Sequence, residues 1–402
     1  VGFTNPTTIL VLMSYLLAYC LGKIGVNQAI AYWAMKKKVF VGRPWLFASA
    51  LVLVTCLMGM LGGSFAAIFL MWGVTKSIAE ENKIESGNLL VNTVYALILL
   101  GGFSGGQMVP FFGGVIMYGG FLTAATGYVV EGAQFLFIGE LYTVLSMLAI
   151  ILIIKYIFRP DASKFFLTEE MRQKFETYCF STQQKIGLIL LIFYFLALLL
   201  PSVFKGNFWT ILSNWGVVGM TILYIVVFSI WKDKDGKDIC SMEDCFQYGI
   251  AWGPVLLFMV TIPLASAMES EEVGIMATVN SVVAPLFDDM SPTMMLIIMA
   301  IIMGLITQVL HNLVVAALFT PILAPIFISM GGNPITFFFV LYAALCCSFG
   351  TPAASMQAGL LFGHKDISTK HAYLLGWLYL AVTIVIVIAM IPLCNLLFAS
   401  LV

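Results

Sequence analysis

An all-α polytopic membrane protein built from two inverted repeats is the fold class this sequence predicts, and three observations predict it. Of its residues, 61% are hydrophobic and only 10% charged, with a mean hydropathy of +1.03. These values lie far outside soluble averages. Apolar runs such as "ILVLMSYLLAYCL" and "YLAVTIVIVIAMIPLCNLLF" recur along the whole chain, with no polar block large enough for a soluble domain. Gly and Pro interrupt many runs, and no alternating ten-residue strand pattern occurs, which favours helices over a β-barrel. The halves also resemble each other at an offset of about 248 to 250 residues: "KIGVNQAIAYWAMKKKVFVGRPWLF" sets against "EEVGIMATVNSVVAPLFDDMSPTMML", aligning Gly25 with Gly274 and Pro44 with Pro292. The connectors "KKKVFVGR" and "LFDDMSP" carry opposite charge, so the repeats are expected to sit inverted in the bilayer.

Residues 7–22 form a first span. Val26 to Lys38, "VNQAIAYWAMKKK", has an apolar face and a basic end, as an interfacial helix should; a bent continuation of the preceding span fits as well. Residues 44–79 read as a re-entrant hairpin with Gly62, Gly63 and Ser64 at its tip. Residues 88–128 read as a helix that unwinds near Gly101 to Gly106, and a further span completes the first repeat, 1–158. Glu140 falls within it near the outer interface, where snorkelling or packing explains it. The segment 159–185 is a cytoplasmic linker. In the second repeat, 186–402, spans near 186–204 and 208–231 precede a short mixed segment at Glu272 to Phe287. A second hairpin follows over 292–330, then a broken helix over 334–363 with its break at "FGTPAAS", and a final span. Subtracting the offset puts the counterparts of 186–204 and 208–231 before residue 1, so two or three N-terminal helices are expected to precede this chain.

Lys and Arg orient the molecule. With 7–22 crossing from outside to inside, every basic residue but Lys205 falls on one side, most of them in the loops 36–43, 80–87, 159–185, 232–247 and 364–370. Glu131, Glu269, Glu271, Glu272, Asp288 and Asp289 fall on the other. The expectation is a multi-pass protein of the plasma (inner) membrane, those loops cytoplasmic and the C-terminus outside.

Broken helices at the midplane are the mark of secondary transporters. Half-helix N-termini aim unpaired N–H groups and a positive dipole at one point, which suits an anion without a buried Arg. Opposed carbonyls, with Thr and Asn oxygens, suit a small hard cation such as sodium. Neither hairpin core contains an Asp, Glu, Lys or Arg. The competing reading of each glycine is close helix packing. The eight cysteines show no CxxC or Cys/His ligand spacing and read as small buried hydrophobes. No HExxH, GxSxG or phosphate loop occurs, so enzyme and primary-pump readings fall away, and no cofactor is expected. Nothing points to nucleic acid.

"HNLVVAALFTPI" followed by "FGTPAAS", with "GGSFAAIFLMWGVTKSIAEE" in the first half and the opening "GFTNPTTILVLMSYLLAYCLGKIGV", resembles the divalent anion:sodium symporter family, within the broader ion transporter superfamily. The resemblance implies a homodimeric elevator transporter, in which a hairpin-bearing domain slides against a dimerising scaffold. The family's carboxylate-binding tips read Ser-Asn-Thr. Here they read Gly63-Ser64-Phe65 and His311-Asn312-Leu313. Asn312 matches the motif Asn, Thr307 matches a residue that helps hold sodium, and Gly350-Thr351-Pro352 keeps the Gly-Thr-Pro turn. The substrate-binding candidates are therefore Gly63, Ser64, Phe65, Ser104, His311, Asn312, Leu313, Thr351 and Pro352. The second-half sodium candidates are Thr307, Asn312 and Gly350. A first-half set, Gly59, Gly63, Ser64 and Gly102, keeps only backbone and one displaced hydroxyl.

The expected function is sodium-coupled symport of a carboxylate or other small anion. Alternatives are proton-coupled or exchange transport of a monocarboxylate, inorganic oxyanion or neutral acid, and, in a different class, an anion channel. Phe65 and Leu313 stand where hydroxyls would bind a carboxylate, which points to a less charged or more apolar substrate than a dicarboxylate. His311 has two readings, a structural hydrogen-bonder or a group that meets substrate or proton.

Overall fold

The computed structural model describes residues 6–399 apart from 62–63, 86, 112, 131, 205, 233–235, 237, 251, 253–254, 257–258, 261–284, 286 and 288. Helices α1 (Pro6–Ile24) and α2 (Val26–Met35) meet at Gly25, whose φ of 75° turns the chain between them. Next come α3 (Pro44–Met60), α4 (Ser64–Glu81), α5 (Leu89–Gln107), α6 (Gly113–Thr126) and α7 (Gly132–Ile153). A short α8 (Glu169–Glu176) lies in the linker, before α9 (Thr182–Val203) and α10 (Asn207–Ile230). The rest comprises α11 (Pro292–Ile306), α12 (Asn312–Ser329), α13 (Pro334–Leu345), α14 (Met356–Gly363) and α15 (Thr369–Phe398).

Five of the described helices are long and apolar enough to cross a membrane, and a sixth crossing is available if α10 counts as one span. The chain is an all-helical, multi-pass membrane protein. The segment expected as a span at 208–231 is bent by 83°. Gly216, at φ 59° and ψ −169°, supplies the left-handed residue at that bend. The expected interfacial segment at Glu272 to Phe287 falls almost wholly outside the described residues, as do most of the acidic residues assigned to the outer side.

The centre of the molecule is two helices. All twelve residues of α13 are buried, and α5 is buried from Leu90 to Gly105. A helix that is apolar all round belongs inside other helices. Each opens on an asparagine cap: Asn88 accepts from the Leu90 and Val91 amides at 3.0 and 3.3 Å, and Asn333 from Ile335 and Thr336 at 2.9 and 3.2 Å. That satisfies two of the four orphan amides of each helix start. Helices α3 and α4 pack on α5, α11 and α12 pack on α13, and α12 also packs on α6, so the halves interlock. Pro292 and Asn312 open their helices 248 residues after Pro44 and Ser64 open theirs.

The expected unwinding at Gly101 to Gly106 does not occur, because α5 stays helical through Gln107 and the break falls after it, before Gly113. Those glycines form a packing seam instead. A Cβ on Gly105 would lie 2.1 Å from the Cys56 carbonyl oxygen, and one on Gly59 2.2 Å from that of Gly102. Only hydrogen lets α3 and α5 approach so closely. In the second half the break is real: α13 stops at Leu345 and α14 starts at Met356.

The loops carrying most of the basic residues gather at one end. Arg172, its side chain 5% exposed, grips Glu169 and Glu176 and donates to the Lys36 carbonyl at 3.2 Å. Gly42 N donates to the Leu167 carbonyl at 3.1 Å, Asn82 to that of Phe166 at 2.8 Å, and Lys174 pairs with Glu81. The linker thus straps the loops after α2 and α4 together.

Candidate functional site

The second-half tip is the most polar buried point of the described structure. Helix α11 ends at Ile306 and is followed by Thr307, which together with Gln308 is almost wholly buried. A buried polar group costs free energy unless its hydrogen bonds are met, and Gln308 meets its own across the fold. Its Nε2 donates to the carbonyls of Gly304 at 2.7 Å and Cys347 at 3.1 Å. Its Oε1 accepts from the Gly350 amide at 2.7 Å, and its main-chain carbonyl accepts from the Thr351 hydroxyl. The Thr307 hydroxyl donates to the Leu345 carbonyl at 3.5 Å, and among the described residues nothing donates to its lone pairs beside the C-terminal end of α13. Thr307, Gly350 and Thr351 are therefore brought together, with Gln308 as the clamp. A Cβ on Gly350 would lie 2.7 Å from Gln308 Oε1, and one on Gly376 2.1 Å from the Phe349 carbonyl oxygen, so two glycines let this loop nest between α11 and α15.

Among the tip residues, His311 and Asn312 start α12. His311 is exposed and its Nδ1 accepts from the Leu313 amide at 3.3 Å, so it caps the helix. Leu313 is buried, 2% exposed, and packs in the core. Pro352 is exposed and Thr351 half-buried. Ser355 caps α14 and ties back to the Ser348 carbonyl at 2.7 Å, closing the loop.

On the first-half side Gly63 lies outside the described residues. Ser64 opens α4, with its hydroxyl 2.4 Å from where a Gly106 Cβ would stand. Phe65 is 39% exposed and meets Phe103 edge to face at 5.0 Å. A chain of rings then runs from Phe103 to Phe349 at 6.5 Å and Phe349 to Tyr379 at 5.5 Å, reaching the second-half break. Ser104 does not face this surface: it is buried, bonded to the Leu100 carbonyl at 2.7 Å and to the Tyr379 hydroxyl at 2.5 Å. Gly59 and Gly102 lie in the packing seam, so of the first-half cation set they offer backbone alone, and Ser64 brings its one hydroxyl. The break after α5 is closed by the other half, since the Tyr342 hydroxyl donates to the Gln107 carbonyl at 2.7 Å. Gln308, Phe103, Phe349 and Tyr379 are absent from the sequence-derived site, although a Gln in an apolar run was itself a signal.

Glu140 does not snorkel: both carboxyl oxygens are buried and without a hydrogen-bond partner among the described residues. At the basic end a cavity of about 410 Å³ lies between α4, α5 and α14, lined by Trp72, Lys76, Tyr95, His364 and Lys365. His364 rests against the Trp72 and Tyr95 rings at 4.5 Å each, and burial, partly offset by the charge of Asp366, lowers its imidazole below the ordinary 6.5.

The family pattern described as "sodium:sulfate symporter transmembrane region" matches residues 1–400. A sodium-dependent dicarboxylate transporter, SdcS of Staphylococcus saprophyticus, is 22% identical over 352 residues, which is 84% of this chain and 67% of that protein. An uncharacterized transporter of Synechocystis, sll0640, is 31% identical over 152 residues, 37% of this chain and 24% of that protein. Among solved structures, the YdaH transporter of Alcanivorax borkumensis has a TM-score of 0.63 at 13% identity, over 98% of this chain and 86% of that one. At that identity the likeness concerns the fold alone.

Proposed function

The chain belongs to the sodium:sulfate symporter family, whose members are membrane transporters rather than enzymes, and from that premise we propose secondary active symport of a small anion with sodium. The carrying observation is the Gln308 clamp, which joins the tip after α11 to the Gly350-Thr351 turn. Sodium would sit against the lone pairs of Thr307, with Gly350 and Asn312 as further candidates. The anion would meet the N-termini of α12 and α4, with the Thr351 hydroxyl held beside them by its bond to the Gln308 carbonyl.

We read α3 with α4 and α11 with α12 as re-entrant hairpins of two inverted repeats. The equal 248-residue spacing and the paired Asn caps support this. So does length: at 1.5 Å per residue the 17 and 15 residues of α3 and α11 span roughly 22 to 26 Å, short of the roughly 30 Å hydrocarbon core. The basic end faces the cytoplasm by the positive-inside rule. An elevator motion in a homodimer follows from the resemblance.

The first-half wall of Phe65 and Phe103 favours a substrate with an apolar part, such as a monocarboxylate, over a compact dianion. A thermal-shift panel of dicarboxylates, monocarboxylates and sulfate, each in sodium and in choline, tests the assignment, because a ligand of the folded state raises stability by mass action. Stabilisation that needs sodium and an anion together is expected. Equal shifts in sodium and choline for every anion would contradict sodium coupling.

A further inference from the structure

Three cysteines far apart in sequence meet at the basic end of the molecule. Cys20 lies in the last turns of α1, and Cys240 and Cys245 in the segment after α10. The Sγ separations are 2.8 Å for Cys20 to Cys240, 3.2 Å for Cys240 to Cys245 and 3.7 Å for Cys20 to Cys245. All three side chains are buried, at 1%, 1% and 0% exposure. Carbon atoms in simple contact stand about 3.5–4.0 Å apart, and sulfur is larger, so the two shorter separations are too close for thiols packed as mere hydrophobes.

Local structure aims each sulfur inward. The Ile239 amide donates to the Trp231 carbonyl at 3.1 Å, returning the chain at the foot of α10 and delivering Cys240. Ser241 then caps a short turn by accepting from the Asp244 amide at 3.1 Å, and that turn swings Cys245 back beside Cys240. Gly249 lets the chain close over Tyr19, which a Cβ there would approach to 3.0 Å. At the rim, Lys23 pairs with Asp244 at 3.7 Å and lies over the Tyr19 ring at 5.4 Å.

We infer that Cys20, Cys240 and Cys245 form a three-thiolate site for a thiophilic d10 cation, zinc or copper(I), which staples the segment after α10 to the end of α1. A triangle with these sides has its corners about 1.9 Å from its centre, inside the roughly 2.3 Å zinc–thiolate distance. Bound at roughly 2.3 Å from each sulfur, a zinc ion would draw the three thiolates apart toward the roughly 3.8 Å spacing of a tetrahedral site. Soft thiolates select such cations over sodium, calcium or magnesium. Three mutual neighbours suit one shared ion better than a disulfide, which would consume two sulfurs and strand the third. The thiols release their protons on ligation. Spacing alone hid the site because one ligand lies more than two hundred residues from the others.

The test uses the full chain purified in detergent without chelator. Elemental analysis should find about one zinc or copper ion per chain, and cobalt(II) added to the chelator-stripped protein should give thiolate-to-cobalt absorption. Cys240→Ser should weaken zinc binding by more than about tenfold while leaving the gel-filtration profile unchanged. A second readout needs no variant: of the eight cysteines, these three should resist alkylation in the metal-loaded wild type and react after chelation. A chain that arrives metal-free and takes up neither zinc nor copper(I) better than Cys240→Ser would overturn the site, as would a Cys20–Cys240 disulfide in non-reducing peptide maps. None of these readouts depends on transport.

Discussion

His311 shows how much one side chain's hydrogen bond decides. Its Nδ1 accepts from the Leu313 amide, so the first turn of α12 depends on that nitrogen staying unprotonated. The residue is a helix cap before it is anything else, which narrows the two readings of the sequence to one commitment on Nδ1. Asn is among the best caps and Ala among the poorest, with a difference of about 0.5–2 kcal/mol. His311→Asn is expected to keep the thermal midpoint of the purified protein, and His311→Ala to lower it by a few degrees. Equal loss in both would mean that the imidazole has a duty beyond the cap. Gln308 lies at the opposite pole of legibility. Its place in an apolar run was plain, yet its four partners lie on segments about forty residues further on or on its own helix, and only the fold brings them together.

Helices were legible from their punctuation. Pro44, Pro292 and Pro334 each open a helix, where a missing amide costs nothing, and the Gly-Thr-Pro turn marks the break after α13. Glycine was the ambiguous letter, since the same residue permits a break or a close approach. In "GGFSGG" packing won, because the facing surface of α3 offers Gly59 and the Cys56 carbonyl at contact distance. Nothing local to α5 says so. The seam makes a direct prediction: Gly105→Ala drives a methyl to 2.1 Å from a carbonyl oxygen and should cost at least the 1–3 kcal/mol typical of overpacking, read as a clear fall in thermal midpoint. Gly359→Ala, in α14 with no atom within 4 Å of the new methyl, should be neutral or slightly stabilising. Similar losses at both positions would refute the seam.

For the molecule as a whole, composition and apolar runs sufficed for the all-helical membrane class, and the hairpin motifs sufficed for the family. Long-range convergence was out of reach of the sequence: the bend at Gly216, the ring chain from Phe65 to Tyr379, and the three thiols at the basic end each depend on how distant segments meet. Two interlocked halves with a clamped second-half tip and an apolar first-half tip are what the proposal rests on, that the second half holds the cation and the first half shapes substrate choice. Uptake of labelled anions into proteoliposomes, driven by an inward sodium gradient and compared with choline, tests this most directly. Sodium-dependent, saturable uptake that falls at least about tenfold in Thr307→Val, the loss of about 1.4 kcal/mol or more expected when a cation loses a ligand, is the predicted result. Sodium-independent flux, or sodium-driven uptake unchanged in Thr307→Val, would contradict it.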